Sequence, residues 1–320
     1  MRERADELVP AGAEAGPRGA GAAPTRPPGG VEWPTIGCLA ACHGAWALGT
    51  LGWAAAPGPA LLLTALAVAF FSSLQHEAIH GHPTGRRRLD EALVWPGYAL
   101  LIPYGRFRDT HLAHHHDADL TDPYDDPESN YLDPARWARL PRWGRAILRA
   151  NNTLAGRIAL GVAVSQGAFL RGDWRAARAG DQAVARAWAA HVPAAGAVLL
   201  WVAWSPTPLW AYAVAAYLGL SLVKIRTFLE HQAHERASGR TAIVEDRGPL
   251  ALLFLNNNLH VVHHMHPAVP WYRLPALYRA RRERYVARNG GYVLRSYGEV
   301  FRRHLWRAKD PVPHPLYRRS

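Results

Sequence analysis

Four long apolar stretches, arranged as two pairs, constrain this chain more than any other feature of its sequence. The first pair covers residues 36–56 and 60–80, separated by Pro-Gly-Pro, and the second covers 183–204 and 209–230, separated by Ser-Pro-Thr-Pro. A helix of about 20 residues rises roughly 30 Å, which is the thickness of a bilayer's hydrocarbon core. Each pair therefore predicts a transmembrane hairpin, and the predicted fold is an all-α integral membrane protein with four spans.

The distribution of arginine predicts the orientation of the hairpins. Neither turn carries a charge, whereas the Arg-rich segments 86–88, 136–149 and 279–288 all lie at the other end of the predicted spans. Excess Arg marks the cytoplasmic face of membrane proteins. We therefore expect a multi-pass protein of the cell inner membrane, with a helical cap on the cytoplasmic side.

The remaining segments complete the predicted domain organisation. Residues 1–34 are rich in Ala, Gly, Pro and Arg and are expected to form a disordered tail, while residues 35–320 form a single membrane domain. Two shorter apolar segments, 92–103 and 154–170, are expected to be interfacial or protein-covered helices. The alternative, that the apolar stretches are core helices of a soluble protein, does not explain their pairing or the one-sided Arg.

Charge and cysteine content exclude several classes of function. The net charge is +12, and nearly all basic residues are Arg, since only Lys224 and Lys309 are lysines. The sequence contains no basic helix interleaved with aromatic residues, so it does not indicate a nucleic-acid partner. The positive charge is better matched to anionic lipid or an acidic protein. Cys38 and Cys42 are the only cysteines. This number excludes a disulfide framework, a thiolate zinc site and an iron–sulfur cluster.

Most of the 17 histidines fall into four short clusters, which read QHEAIHGH, THLAHHHD, EHQAHE and NLHVVHHMHP. Residues three or four apart share one face of a helix. This spacing places three sets of histidines on common faces: His76 with His80; His111 with His114 and His115; and His260 with His263 and His264.

Three further histidines are less determined by spacing. His231 lies seven residues beyond Lys224, about 10 Å further along a continuing helix, which makes it a candidate ninth ligand. His234, one turn further on, is its rival. His116 is rotated by roughly 140° from His111, so we leave it out of the ligand set.

Eight or nine imidazoles exceed what one zinc ion needs, because zinc sites use three or four protein ligands. Two metal ions with four or five imidazoles each fit the number, and oxygen chemistry at a lipid phase favours iron. Nearby carboxylates could orient the imidazole N–H groups. The candidates are Glu77, Glu230, Asp117, Asp119 and Asp122. In the run LTDPYDDPES, Asp122, Asp125 and Asp126 could equally be turn and helix-capping residues.

The motifs HEAIH, HLAHH and HVVHH, followed by HPAVPWYRLP, resemble those of the membrane fatty acid desaturase superfamily over residues 75–282. The resemblance implies a non-haem di-iron centre that uses O2 to desaturate or hydroxylate a lipid chain. It also implies the following metal ligands: His76, His80, His111, His114, His115, His231, His260, His263 and His264. The expected function is therefore acyl-lipid desaturation, with a hydroxylase or ketolase of a lipid or carotenoid as the alternative.

Two departures refine this expectation. The first motif has three residues between its histidines where acyl-CoA desaturases have four, a shorter spacing shared by several bacterial desaturases and by some carotenoid or sterol-type hydroxylases. The sequence also carries no haem-binding, flavin or iron–sulfur motif. We therefore expect electrons to come from a separate ferredoxin- or cytochrome-type carrier, docked on the Arg-rich face.

Two other classes of function are compatible with part of the pattern. HEAIH matches the H-E-x-x-H zinc protease string, with Glu77 as general base and His76 and His80 as ligands. This alternative, an intramembrane metalloprotease, leaves the other histidine motifs unexplained. A metal transporter or sensor is the non-enzymatic alternative, but the predicted spans contain few polar residues to line an ion path.

Overall fold

A computed structural model describes residues 30–116 and 120–317 of this chain, so residues 1–29 of the expected tail lie outside the described residues. The described part is mostly helical. Its helices are α1 Trp33–Leu51, α2 Pro57–Ile79, α3 Arg87–Leu93, α4 Tyr104–His116, α5 Pro134–Arg139, α6 Arg142–Asn151, α7 Leu154–Arg178, α8 Gln182–Trp204, α9 Leu209–Thr227, α10 Pro249–Leu253, α11 His260–Met265, α12 Leu274–Ala280, α13 Arg282–Arg288 and α14 Tyr297–His304. Two short strands, β1 Ile243–Val244 and β2 Val293–Leu294, pair in parallel.

Three helices, α2, α8 and α9, are long and apolar enough to cross a membrane. The predicted first span corresponds to α1, which is not among these three helices. Helices α6 and α7 are long and apolar enough to cross a membrane only when they are taken together, and they are bent by 118° relative to each other. The predicted helical fold is thus confirmed, and the described residues contain three candidate spans, or four if the bent pair is one span.

Helix boundaries differ from the predicted ones at several places. Helix α1 begins at Trp33, inside the expected tail, and ends at Leu51, five residues before the predicted end. Helix α2 begins at Pro57, inside the expected turn, because a proline in the first turn lacks only an N–H that the helix would leave unpaired. Helix α9 ends at Thr227, short of residue 230. The helix expected over residues 92–103 is not formed. Helix α3 ends at Leu93, and residues 94–103, which include Pro96 and Pro103, are not helical.

Helix α2 lies between α1 and α9 at the centre of the packing. A side chain at Gly219 of α9 would place its Cβ 2.6 Å from the carbonyl oxygen of Ala65, so this glycine allows the two helices to approach closely. Helix α8, in contrast, exposes large apolar side chains: Val192 is 67% exposed and Leu200 is 74% exposed. Such a face is suited to contact with lipid, since large apolar patches are rarely exposed to water.

The two ends of the bundle differ in chemistry. Tryptophans gather where α1 passes into α2 and α8 into α9, and the rings of Trp53 and Trp210 meet there at 5.9 Å. The carboxyl-terminal ends of α2 and α9 lie at the opposite end, where α4 and α11 join them. This end carries the histidine motifs.

Candidate metal centre

Nine histidines converge at this end in two adjoining groups. In each group, one ligand atom per residue lies within 4.8 Å of every other. The five-histidine group consists of His76, His80, His111, His115 and His263, and the four-histidine group consists of His114, His231, His260 and His264. The groups touch through the rings of His115 and His264, which stack at 4.2 Å. The structure therefore brings together every residue of the ligand set expected from the motifs.

Local helical geometry positions most of these rings. His76 lies in the last turn of α2, and His80 follows directly as its C-terminal cap. Helix α4 carries His111, His114 and His115 on one side, as the three- and four-residue spacing predicts. The short helix α11 does the same for the last motif.

Distances between imidazole nitrogens match those of ligands around a shared ion. The Nε2 atoms of His114 and His231 are 2.9 Å apart, and those of His231 and His260 are 3.1 Å apart. His80 and His111 show the same 3.1 Å separation in the other group. Two nitrogens that each lie ~2.1 Å from one ion at a right angle would be about 3.0 Å apart. The Nε2 atom of His76 is buried without a hydrogen-bond partner, as an atom awaiting a metal would be.

Hydrogen bonds at the outer nitrogens set the tautomers of three rings. The Nδ1 atom of His111 donates to Glu128 over 2.9 Å, and that of His114 donates to Asp126 over 2.8 Å. His260 donates in the same way to the side-chain oxygen of Asn257 over 3.0 Å. In the neutral form of each ring the proton is on Nδ1, so the Nε2 lone pair points into the cluster, where a metal would bind.

Burial keeps most rings of the cluster neutral. It lowers the pKa of His80 to about 2 and that of His115 to about 3, with nearby imidazoles adding to the effect. The pKa values of His231 and His263 also lie well below the usual range because both rings are buried. Neutral imidazoles at pH 7 are ready to coordinate a metal without first losing a proton.

His114 is the exception. Burial disfavours its charged form, but the hydrogen bond that His114 donates to Asp126 and the charges of the nearby carboxylates raise the pKa of His114 to about 9. A metal ion that binds here must therefore displace a proton. The same carboxylate that stabilises the protonated ring would stabilise a ring bound to a cation.

The carboxylates expected around the cluster divide into several roles. Glu230 lies 3.8 Å from His260 Nδ1, whereas Glu77 accepts a hydrogen bond from the backbone N–H of Trp271 instead of orienting a ligand. Asp122 caps a turn by accepting from the backbone of Tyr124. Asp117 and Asp119 lie outside the described residues.

Two residues that accept hydrogen bonds from the clustered histidines were not identified from the sequence. Glu128 belongs to the same acidic run as Asp126, so its carboxylate was the available signal. Asn257 precedes His260 by three residues, but an amide in an Asn-rich stretch carried no signal of its own.

His231 reaches the cluster from a different backbone than the one predicted. The helix expected to continue from Lys224 ends at Thr227, and His231 forms an extended bridge with Thr241. The backbone N–H of Ala242 donates to Glu230 and that of Gln232 donates to Arg240, so this segment pairs with its neighbour in place of extending the helix. The prediction of a continuing helix is therefore wrong, although His231 does join the cluster.

The two rival histidines lie apart from both groups. His116 Nδ1 bonds to the carbonyl oxygen of Leu112 one turn back in α4. His234 bonds to the backbone of Arg236. Neither ring belongs to the groups that could hold a metal in the described part of the chain.

The C-terminal segment holds the His231 segment in place. Lys309 Nζ donates a hydrogen bond to the carbonyl oxygen of His231 and forms a 3.1 Å ion pair with Asp310. Tyr131 links the same groups, because its hydroxyl donates to Asp310 over 2.6 Å and accepts from the N–H of Ala233 over 2.8 Å. The backbone of residues 231–233 is thus tied to residues 309–310.

A cavity of about 490 Å³ adjoins the cluster. Its walls come from α2, α7 and α9, and His111, His231 and His260 line one part of it. Apolar side chains line much of the rest: Val68, Phe71, Val162, Leu220 and Val223. An apolar molecule in this cavity would lie directly beside the histidine cluster.

Comparison with known proteins identifies relatives of this arrangement. The family model described as fatty acid desaturase matches residues 51–296, a range that includes all nine clustered histidines. A beta-carotene ketolase from Paracoccus sp. (strain N81106 / MBIC 01143) is 28% identical over 225 residues, which are 67% of this chain and 75% of that protein. The C-terminal segment that contacts His231 lies beyond the range of the family match.

Proposed function

The chain belongs to the fatty acid desaturase family, as its histidine motifs indicate, and on that premise we propose that it oxidises an unactivated C–H bond of a lipid-like substrate at two iron ions. The observation that carries this proposal is the pair of imidazole groups beside a cavity that is lined in part by apolar side chains. The five-histidine group would hold one iron and the four-histidine group the other. Bound iron would supply the activation of O2 that side chains alone cannot provide.

The protein's own residues prepare the site in two ways. Glu128, Asp126 and Asn257 fix the direction of the imidazole lone pairs, which lowers the cost of assembling two metal sites. The apolar side chains of the cavity wall would contact an apolar chain bound there.

Two reactions fit this site. The first is desaturation of a lipid acyl chain, the reaction after which the family is named. The second is hydroxylation or ketone formation on a lipid or carotenoid, which the similarity to a beta-carotene ketolase favours. The zinc protease alternative is less consistent with the site, because the Glu77 carboxylate bonds to Trp271 and seven further histidines surround His76 and His80.

Membrane topology and electron supply belong to the same proposal. We propose that residues 35–320 form one membrane domain, with the histidine end in the cytoplasm of an inner-membrane protein, since Arg-rich segments favour that side. Helices α5 and α6 present exposed arginines, including Arg136, Arg139 and Arg142. This basic surface suits an acidic ferredoxin- or cytochrome-type electron donor.

Metal analysis of the purified protein tests the proposal. Two iron atoms per chain support it, one zinc per chain supports the protease, and readily exchanged metal supports a transporter. Lipid and pigment profiles of cells with and without the protein then separate the reactions. A double bond that requires the protein indicates a desaturase, and an oxygen function that requires it indicates a hydroxylase or ketolase. His111→Ala and His263→Ala should insert normally but abolish turnover.

A further inference from the structure

Lysine is rare in this chain, since only 2 of its 37 basic residues are lysines. One of them, Lys224, lies in α9, and its half-buried side chain lines the cavity beside the histidine cluster. Leu220, Val223 and Thr227 line the cavity as well, as their three- and four-residue spacing requires for a common helical face. An ammonium group therefore stands beside apolar side chains on this face of the cavity.

No protein group in the described part of the chain pairs with this ammonium. No carboxylate lies within ion-pair distance of Lys224, and no acceptor lies within hydrogen-bonding distance. The neighbouring carboxylates have other partners: Glu128 accepts from His111, and Glu230 forms a 2.9 Å ion pair with Arg226.

The position of Lys224 along α9 brings it close to the reacting end of the cavity. Thr227 follows it by one turn, about 4.5 Å along the helix axis. Glu230 and the candidate ligand His231 line the same cavity beyond that point. Lys224 thus lies between the apolar part of the cavity and the metal cluster.

An ammonium that faces only hydrocarbon is strongly destabilised, because it loses its hydration without gaining a partner. A substrate attacked at a methylene far from its head group would place hydrocarbon against Lys224. A substrate with an oxygen near the attacked carbon would instead supply the missing acceptor.

We propose that Lys224 binds an oxygen substituent of the substrate close to the carbon that is oxidised. The substrate class is then a long hydrocarbon with a hydroxyl, carbonyl or carboxylate oxygen near the reacting carbon. A ring-hydroxylated polyene and a free fatty acid bound by its carboxyl end both carry this chemistry. This inference rests on the proposed function for the identity of the reacting end, but the binding preference can be measured without turnover.

Quenching of tryptophan fluorescence in the detergent-purified full chain provides the test. Two matched pairs of probes are titrated: zeaxanthin against β-carotene, and palmitic acid against hexadecane. The wild type should bind the oxygenated member of one pair about tenfold more tightly, the effect expected for one charge-assisted hydrogen bond. The pair that shows the preference identifies the source of the oxygen.

Substitutions of Lys224 then test whether this residue causes the preference for the oxygenated probe. Lys224→Met should bind both members of that pair equally, whereas Lys224→Arg should keep the preference. Arg307→Met, which removes an exposed basic side chain elsewhere, serves as the control and should behave as the wild type does. If Lys224→Met fails to insert, Lys224→Gln replaces it, and a preference reduced at least severalfold is the expected result.

Two outcomes overturn the proposal. One is a wild type that binds both members of each pair equally, as it would if water satisfied the ammonium. The other is a neutral variant that keeps the full preference. Metal content separates this result from a failure of the proposed function: a protein without two irons contradicts the function, while the oxygen preference still tests Lys224.

Discussion

Replacing Lys309 with methionine should release one of the two proposed iron ions and leave the other in place. The substitution keeps a similar chain length but removes the ammonium that donates to the His231 carbonyl and pairs with Asp310. Because His231 lies in an extended segment and not in a helix, this contact is a main restraint on its backbone.

The size of the effect follows from the contact that is lost. A hydrogen bond to a charged group contributes about 1.5–3 kcal/mol. If that restraint is used to hold His231 among its three partner histidines, its loss weakens metal binding in the four-histidine group by roughly 10- to 100-fold. The five-histidine group does not include His231, so its affinity for metal should be unaffected.

Iron per chain after dialysis against a graded series of chelator concentrations measures this effect. Wild-type protein should keep two irons under conditions in which Lys309→Met keeps about one. Lys309→Arg, which retains the charge, should resemble the wild type more closely. Equal resistance of wild type and Lys309→Met to chelator would refute the claim that the C-terminal segment positions His231.

Three further predictions concern the rest of the site. Asp126→Asn removes the charge that supports His114 and should weaken iron binding by roughly 10- to 100-fold in the same chelator titration; unchanged affinity would contradict the role given to Asp126. His43→Ala should keep both irons and turnover, since His43 bonds to Tyr98 and to a backbone carbonyl away from the cluster, and loss of iron in this variant would contradict that separation. Metal-free protein should lose stability as the pH falls from about 6.5 toward 3: the pKa of His115 is about 3 in the folded protein, below the unfolded value of ~6.5, so the unfolded state binds more protons in this window. Thermal unfolding in detergent between pH 7 and pH 4 checks this, and His115→Gln should flatten the dependence; a midpoint that rises on acidification would show that the sign is wrong.

Local features of the chain allowed much of the fold to be predicted. Long apolar runs predicted helices that begin at Pro57, Gln182 and Leu209, within a few residues of the expected positions. Such runs report on helices because composition and length are properties of neighbouring residues. The end of α9 was predicted less well, because pairing of the His231 segment with Thr241 involves residues ten positions apart, which no local pattern describes.

The arrangement of the cluster shows the same division. Spacing placed His111, His114 and His115 on one side of α4, but it did not show that His114 belongs to a different group than the other two. Helix α4 contributes rings to both groups, so neighbouring rings on one side of the helix meet different partners. Likewise, the roles of Glu128 and Asn257 depend on which rings they meet across the fold.

The sequence by itself determined that the chain is helical, that it contains apolar helices long enough to span a membrane, and that its histidines recur at spacings suited to metal binding. It could do so because helical periodicity and hydrophobicity are encoded in residues close together in the chain. Only the tertiary structure decided how nine rings divide into two groups, that Lys309 contacts the His231 backbone, and that Lys224 faces the cavity. These contacts join residues up to 187 positions apart, between His76 and His263 in the cluster, and the partners are brought together by packing in three dimensions.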